Sequence, residues 1–512
     1  MKLSKCLSAL LSFFIVLITC FVYVPRTVGT QPGSNETVDT IEVLIHLVER
    51  ADIEAGLSHA EVTQVLQRTA EISQASLLEY LEEKEAESRA SYIESYYIVN
   101  VVYAEIVPDL LKTLENRPEV KKVYLNEVIR LDRVPSSAVG LLFQEGIPWS
   151  IQRTGAPEIW LEHGLDGSGI VIGIIDTGVD IDHPSLAENW RGHSQKTPDY
   201  NWYDPVYSRP MPDDLHSHGT RVTSLVLGHD QAAETTVGIA PGAQWIAARG
   251  FDDNGIGSRR HLLAAGQFML APTDRWGNNP DPGKAPSIIL NAWGCSAISE
   301  DWYHEMVQHW RSASILPLFA AGNSGPKEET VMNPANYPEV FAVGATDSAN
   351  KLAEFSSRGP GLKGQEVKPD LVAPGVGIIT AVPAGGYLSS NGTSMAAAHV
   401  AGAAALLLSG DPGLQVDEIE DILKQTATPL VDDDYGQWPN YGYGYGLVNA
   451  LAAVNRIQPK TKRSTIIGNI VVMPHSSLIV EETVVIKGNV VLKCETSVYT
   501  GPEPSGEIVK DY

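Results

Sequence analysis

Residues 169–178 read GIVIGIIDTG. An apolar run without a polar break is followed by an acid and a turn. A surface helix would show a polar residue every three or four positions, and a half-exposed strand would alternate. An unbroken run rich in β-branched residues is instead the pattern of a strand covered on both faces, which belongs inside a parallel sheet. Functional residues in such sheets sit just past the carboxyl ends of the strands. Asp176 stands at that place.

Working outward, similar runs recur at Trp245–Ala248, Ser287–Asn291, Ile315–Ala320 and Val340–Val343. Helix-like stretches intervene at 258–271, 301–313 and 396–408. Repeated βα alternation predicts an α/β domain with a mainly parallel sheet flanked by helices.

Two further segments share the chemistry of Asp176. His218-Gly219-Thr220 opens an apolar helix-like run, and Gly392-Thr393-Ser394-Met395 precedes an Ala-rich helix. A carboxylate, an imidazole and a hydroxyl can form a nucleophilic triad, in which Ser394 attacks, His218 takes its proton and Asp176 orients the ring. Taken singly, each residue has a commoner explanation: a turn cap for Asp176, a helix-start histidine for His218, a helix N-cap for Ser394. His216 also competes for the role of base. The order Asp, His, Ser argues against the two other familiar orders, in which Ser or His comes first.

Over 145–457 the chain resembles the subtilisin-type serine peptidases. The resemblance is carried by Ile174–Val179 followed by His183-Pro184, by Ser217–Val222, by Ala320-Ala321-Gly322-Asn323 and by Gly392–Ala397. Further stretches, Asn201–Asp204, Asn333–Pro338 and Gly442–Ala450, are similar to one branch of that family. The resemblance implies a three-layer α/β/α domain, a secreted endopeptidase, and autocatalytic removal of a propeptide. It implies Asp176, His218 and Ser394 as the triad, with His218 rather than His216 as base. Asn323 then matches the oxyanion-hole residue, beside the backbone N–H of Ser394. Gly255 and Gly257 resemble one edge of the substrate cleft and Ala292, Trp293 and Gly294 the other, with an extended peptide adding a strand between them. Trp293 is expected to line the pockets. Met332 falls near the floor of the primary specificity pocket.

The chain also departs from the family. Arg221 stands where many members have His, and Ala398 where many have Pro. Ser185 replaces an Asp that helps hold calcium in many subtilisins. No cofactor is required for the chemistry, and a structural calcium ion is left without a location and no metal ligand is assigned.

Residues 40–133 read as a small α+β module: a strand at Val43–Leu47, a helix over 58–87, a strand at Tyr96–Ile106, a helix at Pro108–Leu114 and a strand at Lys122–Leu131. Its βαββαβ order resembles the inhibitory propeptide of these enzymes. A boundary zone without pattern covers 134–147. The tail, 459–512, reads as a short β-rich appendage in which Gly468–Val472 is echoed at Gly488–Leu492, a spacing of 20 residues.

Lys2 and Lys5 precede an apolar run from Leu7 to Val24. This reads as a signal peptide over 1–30, with an uncleaved membrane anchor as the alternative. Of four cysteines, Cys6 and Cys20 lie in that segment. No disulfide is expected between Cys295 and Cys494, and Cys295 is expected to be buried. The net charge of −25 in 512 residues, without a basic stripe, excludes nucleic acid as a partner. The partners expected are protein or peptide substrates and the chain's own propeptide. Two rivals remain: a catalytically silent binding protein on the same fold, and a serine esterase or acyltransferase.

Overall fold

The structure, a computed structural model, describes residues 39–131, 146–295 and 302–458 apart from 363 and 365, together with six short strands between 464 and 500. The signal segment, most of the boundary zone and Cys6, Cys20 and Cys494 lie outside the described residues.

The first module contains β1 (Ile41–Leu47), α1 (His59–Ala86), β2 (Ala90–Tyr96), β3 (Val101–Ile106), α2 (Leu111–Glu115), β4 (Val120–Leu125) and β5 (Val128–Arg130). The start of α1 is set locally. Ser58 and Glu61 form a reciprocal capping box, which satisfies two N–H groups that the first turn leaves without helical partners. Its apolar stripe, including Val62, Leu66, Leu77 and Leu81, is buried. The antiparallel sheet has the order β2-β3-β1-β4.

Two sequence expectations need correction here. The stretch Tyr96–Ile106 is not one strand. The end of β2 is at Tyr96, the chain turns through 97–100, and β3 begins at Val101. Asn100 sits at φ 30°, and Gln74 Nε2 donates to its side chain at 2.9 Å. Lys122–Leu131 is not one strand either: β4 stays in the module, but β5 leaves it for the larger domain.

That domain begins with two short helices, α3 (Trp149–Thr154) and α4 (Ala156–Glu162). Then come β6 (Val171–Asp176), β7 (Trp202–Tyr203), α5 (His218–Leu227), β8 (His229–Asp230), β9 (Thr235–Thr236), β10 (Gln244–Arg249), β11 (Ile256–Ser258), α6 (Arg259–Leu270) and β12 (Ile288–Asn291). After these follow α7 (Trp302–Ser312), β13 (Leu316–Ala320), β14 (Phe341–Thr346), β15 (Leu371–Pro374), the hairpin β16 (Ile378–Val382) and β17 (Gly386–Ser390), α8 (Thr393–Gly410), α9 (Val416–Thr426) and α10 (Ala450–Ile457). Seven strands pair in the order β15-β14-β13-β12-β6-β10-β7, and every pairing is parallel.

The unbroken apolar run is therefore the middle of the sheet. Ile172 and Ile174 point into one core with α5 and α8, and Ile175 into the other with α6 and α7. This is the expected three-layer α/β/α architecture. α8 is apolar almost all round because it is buried throughout, Thr393 to Leu408. The module's sheet packs on α6 and α7, so Leu44, Tyr96, Ile98 and Tyr103 share a core with Leu262, Phe268 and Trp310.

Beyond 458, strands pair in parallel at a constant offset of 20 residues: Ser464–Ile467 with Val484–Lys487, Ile470–Val472 with Val490–Leu492, and Ser477–Val480 with Ser497–Thr500. The echo in the sequence is the offset of all three ladders, as in successive coils of a β-solenoid.

Candidate active site

β6 carries Asp176 to the carboxyl edge of the sheet, where it is 1% exposed. α5 starts at His218 and α8 at Thr393, so Asp176, His218 and Ser394 stand at element ends along that edge. His218 Nδ1 lies 2.8 Å from Asp176 Oδ1 and 2.9 Å from Oδ2. A carboxylate can only accept, so in the neutral ring Nδ1 carries the proton and Nε2 is left unprotonated, able to accept one. Burial alone would lower the His218 pKa. The charge and hydrogen bond of Asp176, helped by the Asp214 charge, outweigh it and raise the pKa above 6.5, while Arg221 pulls it down. His216 lies beside this pair, with ring centroids 6.3 Å apart, and does not take its place.

Ser394 is 6% exposed, in the first turn of α8. Its Oγ donates to the Ala292 carbonyl at 3.1 Å. Ala292 belongs to the expected second cleft edge. Among the described residues no hydrogen bond joins Ser394 Oγ to His218. Such contacts are often loose before substrate binds.

Asn323 is oriented by its neighbour. Its Oδ1 accepts from Thr393 N at 2.9 Å and from Thr393 Oγ1 at 3.0 Å. An N–H donor faces Oδ1, so the amide Nδ2 is the end turned away, as a donor for an oxyanion requires.

The cleft edges divide. β11 is paired, with β5 of the first module lying antiparallel on it: Arg130 opposite Ile256, Ile129 opposite Gly257, Val128 opposite Ser258. Leu131 N donates to Gly255 O at 3.0 Å. Gly255 has φ +74°, and a Cβ there would stand 2.9 Å from His216 Nε2. On the other edge, Gly294 faces Met332, whose Cβ lies 2.8 Å from where a Cβ on Gly294 would be. Met332 also abuts Gly322. It thus fills the space between the wall that ends at Gly294 and the wall that leads to Asn323.

Two expectations are corrected here. The Trp293 side chain does not line a pocket: it is 3% exposed and packs against Phe319 and Tyr303 at 5.3 and 5.6 Å. Only its backbone is available to the cleft. Cys295 is half-buried rather than buried, and its backbone pairs with Asn333. Ser185, at the family's calcium position, is buried and meets His183 Nδ1 at 2.9 Å. A neutral hydroxyl held by an imidazole does not fit a hard cation that needs carboxylate and carbonyl oxygens.

Sequence reading missed Asp214. It is 2% exposed and stands between the Asp176 loop and the start of α5. Only its closeness to His218 in the chain pointed to it.

A mainly parallel sheet with a Ser, a His and an Asp gathered at its carboxyl edge defines a serine hydrolase of subtilisin architecture. The chain belongs to the subtilase family, whose model matches residues 167–446. It is 41% identical over 414 residues to bacillopeptidase F of Bacillus subtilis (strain 168), covering 77% of this chain but 28% of that protein. It is 32% identical over 370 residues to an alkaline protease of Alkalihalobacillus alcalophilus, covering 72% of this chain and 83% of the relative. Subtilisin E of Bacillus subtilis (strain 168) is 31% identical over 362 residues. The family and these relatives make the chain a subtilisin-like serine peptidase by kinship.

Proposed function

We propose that this chain is a secreted serine endopeptidase made as a self-processing precursor. Residues 40–133 act as the inhibitory propeptide and 145–457 as the catalytic domain. The export reading rests on Lys2, Lys5 and the apolar run that follows.

In this scheme Ser394 Oγ attacks the scissile carbonyl carbon as its proton passes to His218 Nε2. The negative charge on the former carbonyl oxygen is met by the Asn323 amide and the Ser394 N–H. Asp176 stabilises the imidazolium, which then returns the proton to the departing amine. Water, deprotonated by the same imidazole, attacks the acyl ester and restores Ser394. Every charge that develops meets a group already in place, so no cofactor is needed.

One observation carries the reading: the chain's own segment Val128–Arg130 lies extended on β11, pairing through its backbone as a peptide substrate would. An ester pocket would offer no such ladder. The segment is held up to Leu131, upstream of 134–147, which is where we place the cut.

The test is fluorophosphonate labelling with peptide and ester hydrolysis compared, wild type beside Ser394→Ala. Labelled wild type that cleaves peptides, with an inert Ser394→Ala, supports the reading. Absent labelling favours a silent scaffold, and ester turnover without peptide turnover favours an esterase.

A further inference from the structure

Asp214 is buried, and its two oxygens accept five hydrogen bonds. Oδ1 takes the Thr177 hydroxyl at 2.9 Å, His216 N at 3.1 Å and Ser217 N at 2.8 Å. Oδ2 takes Thr220 N at 2.9 Å and Thr220 Oγ1 at 2.7 Å. These donors come from two places. Thr177 follows Asp176 at the end of β6, while Ser217 and Thr220 flank the start of α5.

The circuit closes on Thr177. Its hydroxyl, donating to Asp214, accepts from Gly219 N at 3.0 Å. Its carbonyl accepts from Arg249 Nη1. Arg249, fully buried at the end of β10, is held by Asp204 at 2.9 Å and by the Asp213 carbonyl at 2.9 Å. Ser217, between Asp214 and His218, has φ +81°. A left-handed conformation is unfavourable at a non-glycine residue and persists only where surroundings impose it. The bond from Ser217 N to Asp214 is such an imposition.

We propose that Asp214 is a positioning residue for the reaction: it locks the loop bearing Asp176 to the first turn bearing His218. This rests on the triad reading above. Asp214 touches neither substrate nor reacting atoms, and acts by setting the distance and angle of the Asp176–His218 pair. A misplacement of about 1 Å in such a pair costs on the order of a hundredfold in rate. Its second effect is electrostatic. The groups facing His218 are Asp176, Asp214 and Arg221, with the His216 ring beside it. Removing the Asp214 charge leaves the imidazolium less stabilised.

The experiment uses the full chain, self-matured, with active sites titrated by a fluorophosphonate. Values of kcat and KM are measured from pH 5 to pH 10 for wild type, Asp214→Asn, Thr177→Val and Thr177→Ser; Ser394→Ala, which neither self-matures nor titrates, is assayed for turnover beside them at equal protein concentration. For Asp214→Asn we expect kcat to fall about tenfold to a hundredfold, KM to change little, and the acid limb to move to lower pH. Thr177→Val loses the shared hydroxyl and should fall similarly, and Thr177→Ser should restore it. Thr177→Val and Thr177→Ser decide the matter if Asp214→Asn does not fold. An active Ser394→Ala would overturn the triad reading itself. An inert Ser394→Ala beside Asp214→Asn with unchanged kcat and unchanged acid limb, or Thr177→Val equal to wild type, would overturn only the role of Asp214.

Discussion

Ile129 lies opposite Gly257 in an antiparallel ladder, and at 6% exposure it is buried in the core shared with Phe251 and Leu262. A residue of the first module thus occupies the backbone edge that, on the function proposed above, a substrate would use. On that proposal the enzyme becomes active only after the segment is cut downstream of Leu131 and released.

From this follows the maturation prediction. Ser394→Ala, expressed without host proteases, should accumulate as a precursor retaining 40–133, whereas wild type should yield a mature chain beginning within 134–147. Mass spectrometry of both chains decides it, and normal processing of Ser394→Ala would exclude self-cleavage.

The base is His218. His218→Ala should reduce turnover to near background, and His216→Ala should leave most of it, since it is the His218 ring that is bonded to Asp176. The base must be neutral, so kcat/KM should rise as His218 deprotonates, with an acid limb above the ordinary histidine value of 6.5. Arg221 disfavours the imidazolium, so Arg221→Gln should move that limb to still higher pH. A limb unmoved in Arg221→Gln would mean that its charge does not reach the ring.

On the proposed function Met332 is expected to set the depth of the primary pocket. Filling the space between Gly294 and Gly322, it should favour small or medium apolar P1 residues. Met332→Gly should extend acceptance to Phe and Tyr by about 1–3 kcal/mol of discrimination. Peptide-library profiling of both forms tests it, and identical P1 profiles would refute it.

The module's grip should weaken in acid. Glu305 on α7 meets His46 at 3.2 Å, Arg50 at 3.0 Å and Lys121 at 3.6 Å, all from the first module. Burial would raise its pKa, but these partners outweigh burial and hold it at about 2. A carboxyl depressed on binding contributes affinity above its ordinary value of 4.5, lost as pH falls toward 2. The cleaved fragment should therefore co-elute with the mature chain at pH 6 and separate increasingly below pH 4.5. Glu305→Gln should bind more weakly at pH 6 and lose that part of the pH dependence. An unchanged elution profile would remove Glu305 from the interface energetics.

The sequence by itself determined most of the elements and the candidate reacting groups, because both are written over a few adjacent residues. The apolar run at 169–175 needs cover on two faces whatever surrounds it. Asp176 after a strand, and Ser394 where an Ala-rich helix begins, are local facts. Tertiary structure alone decided what depends on partners far along the chain. Ile129 reads as the end of the module's last strand, yet its partner is Gly257, on β11 of the larger domain. Trp293 reads as a pocket wall, yet Phe319 and Tyr303 leave its ring only the core. Asp214 reads as one acid among many. Thr177, 37 residues away, makes it a hub, because a buried carboxylate must collect donors from wherever the packing brings them.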